Sequence, residues 1–166
     1  MRDSLIKYID RLVDRVGSVS GWLALFLILS VCIDVVLRLM DSSVTWLNDL
    51  QWHIFAALFL LGGAYTLQKD AHVRVDLFYS RFQAKDKALV NIIGILCLLM
   101  PWCLILMVYT LRFAIDSLFI LEGSPDPNGL PFRFVIKFIL FFSICLVFLQ
   151  ALSLLLKNLK QLKPKS

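Results

Sequence analysis

The sequence contains few charged residues and few of the side chains from which active sites are built. Only 17% of its 166 residues are charged and only two are histidine, whereas about 25% of the residues of soluble domains are charged. The four cysteines all fall within apolar runs and lack Cys-x-x-Cys spacing, which argues against a disulfide or a metal site. The sequence has no phosphate-binding loop, metal-ligand cluster or nucleophile–base pair. We therefore expect neither an enzyme nor a cofactor-binding protein.

Apolar residues dominate the sequence instead. They make up 60% of the chain, and the mean hydropathy is +0.81. A compact soluble core of this size could not bury so much apolar surface, so the bilayer must act as the solvent. Four apolar runs reach the roughly 20 residues that a helix needs to cross the hydrocarbon core. They predict an all-α membrane protein with spans at about 17–40, 46–68, 88–111 and 132–156.

The positions of lysine and arginine predict the orientation of these spans. Thirteen of the 17 basic residues lie in the N-terminal segment 1–16, the connection 69–87 and the tail 157–166. Connections rich in lysine and arginine stay in the cytoplasm, so both chain ends and the connection 69–87 are expected there. The other four basic residues lie within or next to helices on the opposite side: Arg38, Arg112, Arg133 and Lys137.

Two segments on the basic side have the pattern of amphipathic helices. Residues 4–16 place apolar side chains at helical spacing, with Lys7, Asp10 and Asp14 turned away from them. This pattern predicts a helix that lies in the headgroup plane and then turns into the first span. Residues 73–82 have a similar pattern, with arginines that could meet anionic lipid. The alternative for both segments is an unstructured linker.

The second span begins with an unusual group of polar residues. The stretch TWLNDLQWHIF, residues 45–55, carries two amides, an acid and an imidazole immediately before an apolar run. The loop between the first two helices is short, so they should form a hairpin. Two residues that lie equally far from the loop, one in each helix, should then be at the same depth in the membrane, and their residue numbers sum to about 87. Residues at i and i+4 within each helix also share a face. The sequence therefore predicts one cluster in which pairing lowers the cost of charge in the membrane: Asp34, Arg38, Asp49 and His53, with Asn48 beside them.

This cluster could fasten helices together or to a partner, line an ion or proton pathway, or hold a cofactor. Fastening is favoured because Gly63 and nearby alanines continue the same helix face and allow another helix to approach closely. Trp52 suits the boundary with the headgroups. A haem bound by two histidines is disfavoured, because His53 and His72 are expected on opposite sides of the membrane.

The third helix leads into a proline-rich connection on the outer side. Helical spacing continues to about residue 121, so this helix must tilt, bend at Pro101 or project from the bilayer. Residues 122–131, EGSPDPNGLP, contain three prolines and a turn-forming Asn-Gly pair, which predicts a stiff loop. Arg133 and Lys137 open the last helix, where cations oppose the macrodipole and need acids nearby. The candidate acids are Asp116 and Glu122.

Two stretches resemble the small membrane subunit of tripartite ATP-independent periplasmic (TRAP) transporters. They are NDLQWHIFAALFLLGGAYTLQKDAHVRVDLFY (48–79) and EGSPDPNGLPFRFVIK (122–137), and the four spans extend the resemblance over the whole chain. Asp49 stands where a glutamate is expected, and Asn128-Gly129 stands where the loop often has Gly-Gly. Four residues match the loop motif of that family, and we therefore expect them to contribute to partner docking: Pro125, Asp126, Pro127 and Gly129.

The resemblance implies a subunit that braces a larger partner. In that family a periplasmic binding protein captures an organic acid, usually a carboxylate, and a large multi-span subunit moves it by a sodium-driven elevator mechanism. The small subunit packs against the stationary scaffold in the bacterial inner membrane. The expected partners are therefore these two proteins and the phospholipid bilayer, and not nucleic acid. Two alternatives stay open: a self-contained small transporter or channel, for which Asp34 is the only deep acid, and the membrane anchor of a redox complex.

Overall fold

Long apolar helices account for most of the computed structural model, which describes residues 2–42, 44–70 and 82–162. Four helices are long and apolar enough to cross a membrane, and none of the described residues forms a strand. The predicted all-α membrane fold is therefore confirmed. The helices, with the third one divided in two, are α1 (Arg2–Leu39), α2 (Thr45–Gln68), α3 (Ala84–Gly94), α4 (Met100–Phe119) and α5 (Phe134–Leu162).

A single stretch of π-helix, Ile95–Leu99, joins α3 to α4 within one long helix. The N–H of Met100 donates to the carbonyl of Ile95, five residues earlier, and Pro101 follows at the start of α4. A proline has no N–H, and its ring clashes with the carbonyl four residues before it. The wider π turn relieves that clash. The helix thus accommodates Pro101 by a local change in helix type.

The last helix, α5, lies at the centre of the bundle. It packs against α1, α2, α3 and α4, and α1 also packs along α2. A larger share of its apolar stretch is buried than in any of the other three spans. On the outer faces large apolar side chains point away from the protein, and Trp22, Phe59 and Leu98 are 65%, 75% and 73% exposed. Lipid or a partner must cover such surfaces.

The helices alternate in direction, so the connections fall on two sides of the bundle. One side, here called the terminal side, holds the start of α1, the end of α2, the start of α3 and the end of α5. The opposite side, here called the loop side, holds the end of α1, the start of α2 and residues 120–133 between α4 and α5.

The first helix differs from its prediction. Residues 2–39 form one uninterrupted helix, so the turn expected between an interfacial helix (1–16) and the first span is absent. The apolar face of the N-terminal part packs inside the protein, where Ile9 and Val13 are 2% and 1% exposed and contact Ala64. Other helices, rather than lipid, bury this face. The second predicted interfacial segment, 73–82, lies outside the described residues except for Phe82.

Candidate functional site

Arg38 joins the end of α1 to the beginning of α2 on the loop side. Its Nε donates to Asp34 Oδ2 at 2.8 Å, and its Nη2 donates to Asn48 Oδ1 at 2.9 Å. The side chain of Asp34 is only 8% exposed, whereas that of Arg38 is 56% exposed. Among the described residues, Asp34 Oδ1 has no hydrogen-bond partner. A buried acid is therefore neutralised by a cation that reaches solvent or lipid headgroups, and pairing lowers the cost of burying its charge.

Asp49 does not join this cluster, which corrects the prediction that all four charged or titratable residues come together. Its Oδ2 accepts a hydrogen bond from the backbone N–H of Leu130 at 2.9 Å, and the side chain of Ser124 lies close to this carboxylate. Successive helical residues point about 100° apart, so Asn48 and Asp49 cannot face the same neighbour. Asn48 faces α1, and Asp49 faces the loop that connects α4 to α5.

The other polar residues at the start of α2 bond to backbone groups. His53 Nδ1 lies 2.6 Å from the carbonyl oxygen of Asp49, one turn earlier in the same helix. Gln51 Nε2 donates to the carbonyl of Ser30 at 3.2 Å and so ties α2 to α1. The structure therefore places the imidazole in a local helix contact instead of an ion-pair cluster.

Trp52 and Gly63 lie on surfaces of α2 that this chain leaves open. The Trp52 side chain is 70% exposed, and its ring meets the edge of Phe55 at a centroid distance of 6.3 Å. A Cβ added at Gly63 would find no atom within 4 Å. Both positions have the open surface that a docking role needs, and that role stays a prediction.

Gly129 lets the loop approach α2 closely. A Cβ at this position would lie 2.4 Å from Ser124 Oγ and 2.5 Å from Asp49 Oδ2, which is closer than non-bonded atoms tolerate. The adjacent Asn128 adopts a φ of 59°, in the left-handed region that asparagine enters more readily than most residues. The Asn-Gly pair thus forms the predicted turn, and the missing side chain of Gly129 leaves room for the Asp49 contact.

Backbone hydrogen bonds close the loop between α4 and α5. Arg133 N–H donates to the carbonyl of Glu122 at 2.9 Å, and Ser124 N–H donates to that of Leu130 at 3.0 Å. At the tip, Gly129 N–H donates to the carbonyl of Asp126 at 3.0 Å. The loop therefore has a defined shape with an exposed tip, which is formed by residues of the predicted motif: Pro125, Asp126, Pro127 and Asn128.

The carboxylate of Glu122 holds the base of this loop. Lys137 Nζ and Ser117 Oγ, the latter at 2.7 Å, both donate to Glu122 Oε2, and Arg133 Nη1 lies 3.9 Å from Oε1. Lys137 hydrogen-bonding, followed by the Ser117 hydroxyl, lowers the pKa of Glu122. Glu122 was one of the two acids predicted to balance these cations. The other prediction was wrong, since Asp116 is exposed and forms no ion pair within the described part of the chain.

A second polar cluster, on the terminal side, was missed by sequence reasoning. Asp10 was expected to point outward, but its Oδ1 accepts from Ser153 Oγ at 2.9 Å and its Oδ2 pairs with Lys157 Nζ at 2.7 Å. Gln150 Nε2 lies 3.4 Å from the same carboxylate, and Gln68 Nε2 donates to the Asp10 backbone carbonyl at 2.9 Å. The available signal was Gln150 and Ser153, two polar residues on one face of a very apolar helix.

Comparison with known proteins identifies one family. Residues 27–161 match the family model described as "Tripartite ATP-independent periplasmic transporters, DctQ component". The matched region begins within α1 and covers most of the chain, including every polar contact described above on the loop side. No curated protein sequence matches the chain.

Proposed function

Because this chain belongs to the DctQ component family of tripartite ATP-independent periplasmic transporters, we propose that it braces the large transport subunit of such a system. The family is a transporter component, not an enzyme, and its members reside in the inner membrane. Four membrane-crossing helices agree with a multi-pass protein of that membrane. The expected partners are a large multi-span subunit and a periplasmic solute-binding protein.

The fixed loop on the loop side is the observation that most favours a bracing role. Asp49 anchors the loop to α2, and Glu122 anchors its base through Ser117 and Lys137. A surface held in this way keeps its shape before a partner arrives, so binding orders few additional groups. This arrangement suits permanent docking.

The helices themselves favour a static subunit over a translocating one. Transport sites in secondary transporters are typically formed by discontinuous helices with unwound backbone. Within the described residues, each span is helical throughout, and the only departure from α-helix is the π turn before Pro101. The deep acid Asp34 is paired with Arg38. These features support a protein that stabilises a transporter rather than one that carries solute.

We further propose that the complex imports an organic acid, with a carboxylate the first candidate, and that a sodium gradient drives the import. Both chain ends would face the cytoplasm, since 13 of the 17 lysines and arginines lie on the terminal side or in the connections next to it. The loop side would then face the periplasm, where a solute-binding protein arrives. The distribution of basic residues supports the orientation, and family membership supports the binding-protein dependence.

Reconstitution in proteoliposomes tests this role. The chain alone, the large subunit alone and the two together should be compared, each with the binding protein and a panel of radiolabelled carboxylates, with and without a sodium gradient. We expect uptake only from the two subunits together with the binding protein and sodium. Uptake by this chain alone would contradict the bracing role and favour a small transporter. Uptake by the large subunit alone at the full rate would show that bracing is unnecessary.

A further inference from the structure

Two clefts of different chemistry lie along the seam between α2 and the α3–α4 helix, with α5 between them. Each cleft is lined by the same three elements. The cleft nearer the terminal side is polar, and the one deeper in the bundle is apolar. We propose that the seam is a binding site for one phospholipid molecule, whose phosphate headgroup occupies the polar cleft and whose acyl chain occupies the apolar one.

The polar cleft has hydrogen-bond donors that suit a phosphate group. Its volume is about 380 Å³. Lys87 from α3 and Lys157 from α5 line it, together with the amides of Asn91, Asn158 and Gln161. Asp70 is the one acid in the lining, and Lys157 also pairs with Asp10 at 2.7 Å. Within the lining, Asn91 Nδ2 also donates to Asn158 Oδ1 at 3.4 Å. A phosphodiester accepts hydrogen bonds and carries one negative charge, so it can share the ammonium and amide N–H groups with the contacts that these residues already make.

The apolar cleft has the lining and the size for a hydrocarbon chain. Its volume is about 300 Å³, and nearly all of its lining surface is apolar. Gly63 leaves space on the α2 side, while Leu140 and Ile144 contribute from α5. Almost none of this surface is polar, so an occupant with hydrogen-bonding groups would leave them unpaired. A flexible chain without polar groups fits it better.

The distance between the two clefts agrees with the thickness of one leaflet. The polar cleft is lined on α5 by residues 154–161 and the apolar cleft by residues 140–147. Fourteen residues separate their midpoints, which is about 21 Å at 1.5 Å per residue. Half of a bilayer, including its headgroup region, is also about 20–22 Å thick. A phospholipid with its headgroup at Lys87 and Lys157 therefore brings the end of its acyl chain into the apolar cleft.

Native mass spectrometry of the full chain, extracted in a mild detergent, measures this binding directly. We expect one phospholipid per chain to survive delipidation that removes the loosely bound lipid. Two variants address the two ends of the site. Lys87→Gln should lower the retained fraction about fivefold, since one lysine near a membrane surface contributes about 1 kcal/mol. Gly63→Leu should fill the apolar cleft and lower retention at least as much.

Matched substitutions outside the seam control for changes of charge and volume. Lys85→Gln removes the same charge from an exposed position on the same helix, and Gly21→Leu adds the same side chain at an exposed position with no atom within 4 Å. Both should retain lipid as the unsubstituted chain does. Equal retention by all five proteins, or no retained lipid in any of them, would overturn the proposal.

Competition identifies the source of the phosphate. A phosphatidylglycerol added in excess should exchange with the retained lipid, whereas a diacylglycerol with the same chains should not. Exchange by both would overturn the role of the phosphate group. Displacement by inorganic phosphate alone would show that the polar cleft takes a free anion, and it would overturn the lipid assignment. None of these results depends on transport, so the site can fail while the bracing role stands.

Discussion

The carboxylate of Asp49 on α2 accepts a hydrogen bond from the backbone N–H of Leu130, which lies 81 residues later in the chain, at a distance of 2.9 Å. This contact connects the first half of the bundle to the loop that leads into the central helix. It explains the acid near the beginning of an apolar span. The acid fastens the loop to α2, while its neighbour Asn48 receives the hydrogen bond from Arg38.

Gly129→Ala should disrupt this fastening, whereas Gly123→Ala should not. The new methyl group at residue 129 would lie 2.5 Å from Asp49 Oδ2, and overpacking of this kind costs about 1–3 kcal/mol. At residue 123 the nearest atom to the new Cβ would be 4.0 Å away, at Pro131 Cα. Thermal unfolding of the two purified variants measures the difference. Equal melting temperatures would mean that the loop moves away from α2 without cost.

Loss of Arg38 alone should destabilise the protein more than loss of both members of its ion pair. Arg38→Gln leaves the buried carboxylate of Asp34 without its cation, while Asp34→Asn/Arg38→Gln removes both charges. Breaking a buried pair is costly, but Arg38 is more than half exposed, so we expect a difference of about 1–2 kcal/mol. Both variants lose the contact with Asn48, so that loss cancels. Equal unfolding temperatures would show that Asp34 does not depend on the charge of Arg38.

The two aspartates one turn apart on α1 should differ in their effect on stability. Asp10→Asn removes the charge that Lys157 and Ser153 contact. Hydrogen bonds to charged groups are worth about 1.5–3 kcal/mol, and the lower end applies because the Asp10 side chain is 24% exposed. Asp14→Asn removes only a pair with Lys69 in which both side chains are 48% exposed, and exposed pairs contribute little. Chemical denaturation of each variant tests the difference. A larger loss for Asp14→Asn would contradict a central role for the Asp10 cluster.

The helices could be predicted from the sequence because hydropathy alone determines which segments must lie in lipid. The partners of individual polar side chains could not, because these depend on how each helix is rotated about its own axis. Counting residues across the hairpin predicted the depth of Arg38 correctly but predicted Asp49 as its partner on α2. The partner is Asn48, whose side chain points about 100° away from that of Asp49 around the helix axis. The direction of Asp10 was likewise predicted from α1 alone, without knowledge of where α5 packs. Glu122 was predicted correctly because it lies in the loop that leads into α5, near the cations that it balances.

Glu122 should make the stability of the loop side depend on pH in acid. Its pKa is lowered below the ordinary value of 4.5 by Lys137 and Ser117, so the folded state favours the ionised carboxylate. The resulting stabilisation is fully present above pH 4.5 and is lost as the pH falls through the lowered pKa. Glu122→Gln should therefore be less stable than the unsubstituted chain at neutral pH and equal to it in strong acid. Asp116→Asn is the control, because Asp116 is exposed and pairs with no cation among the described residues, and it should show no such convergence.

Alanine in place of Pro125, Pro127 and Pro131 should loosen the loop tip and weaken assembly without preventing membrane insertion. Each proline restricts the unfolded chain and is worth about 0.4–1 kcal/mol where the native backbone accepts it, so the triple variant should lose about 1–3 kcal/mol. Copurification with the large subunit and uptake with the binding protein, each at low and high salt, separate two modes of contact. A loss that is independent of salt would indicate permanent docking on the large subunit. A loss that changes with salt would indicate the binding protein, because exposed charges such as that of Asp126 are screened by ions. Normal assembly and normal transport at both salt concentrations would show that the loop only connects α4 to α5. The rigidity that Asp49 and Glu122 give the loop would then have no role in binding a partner.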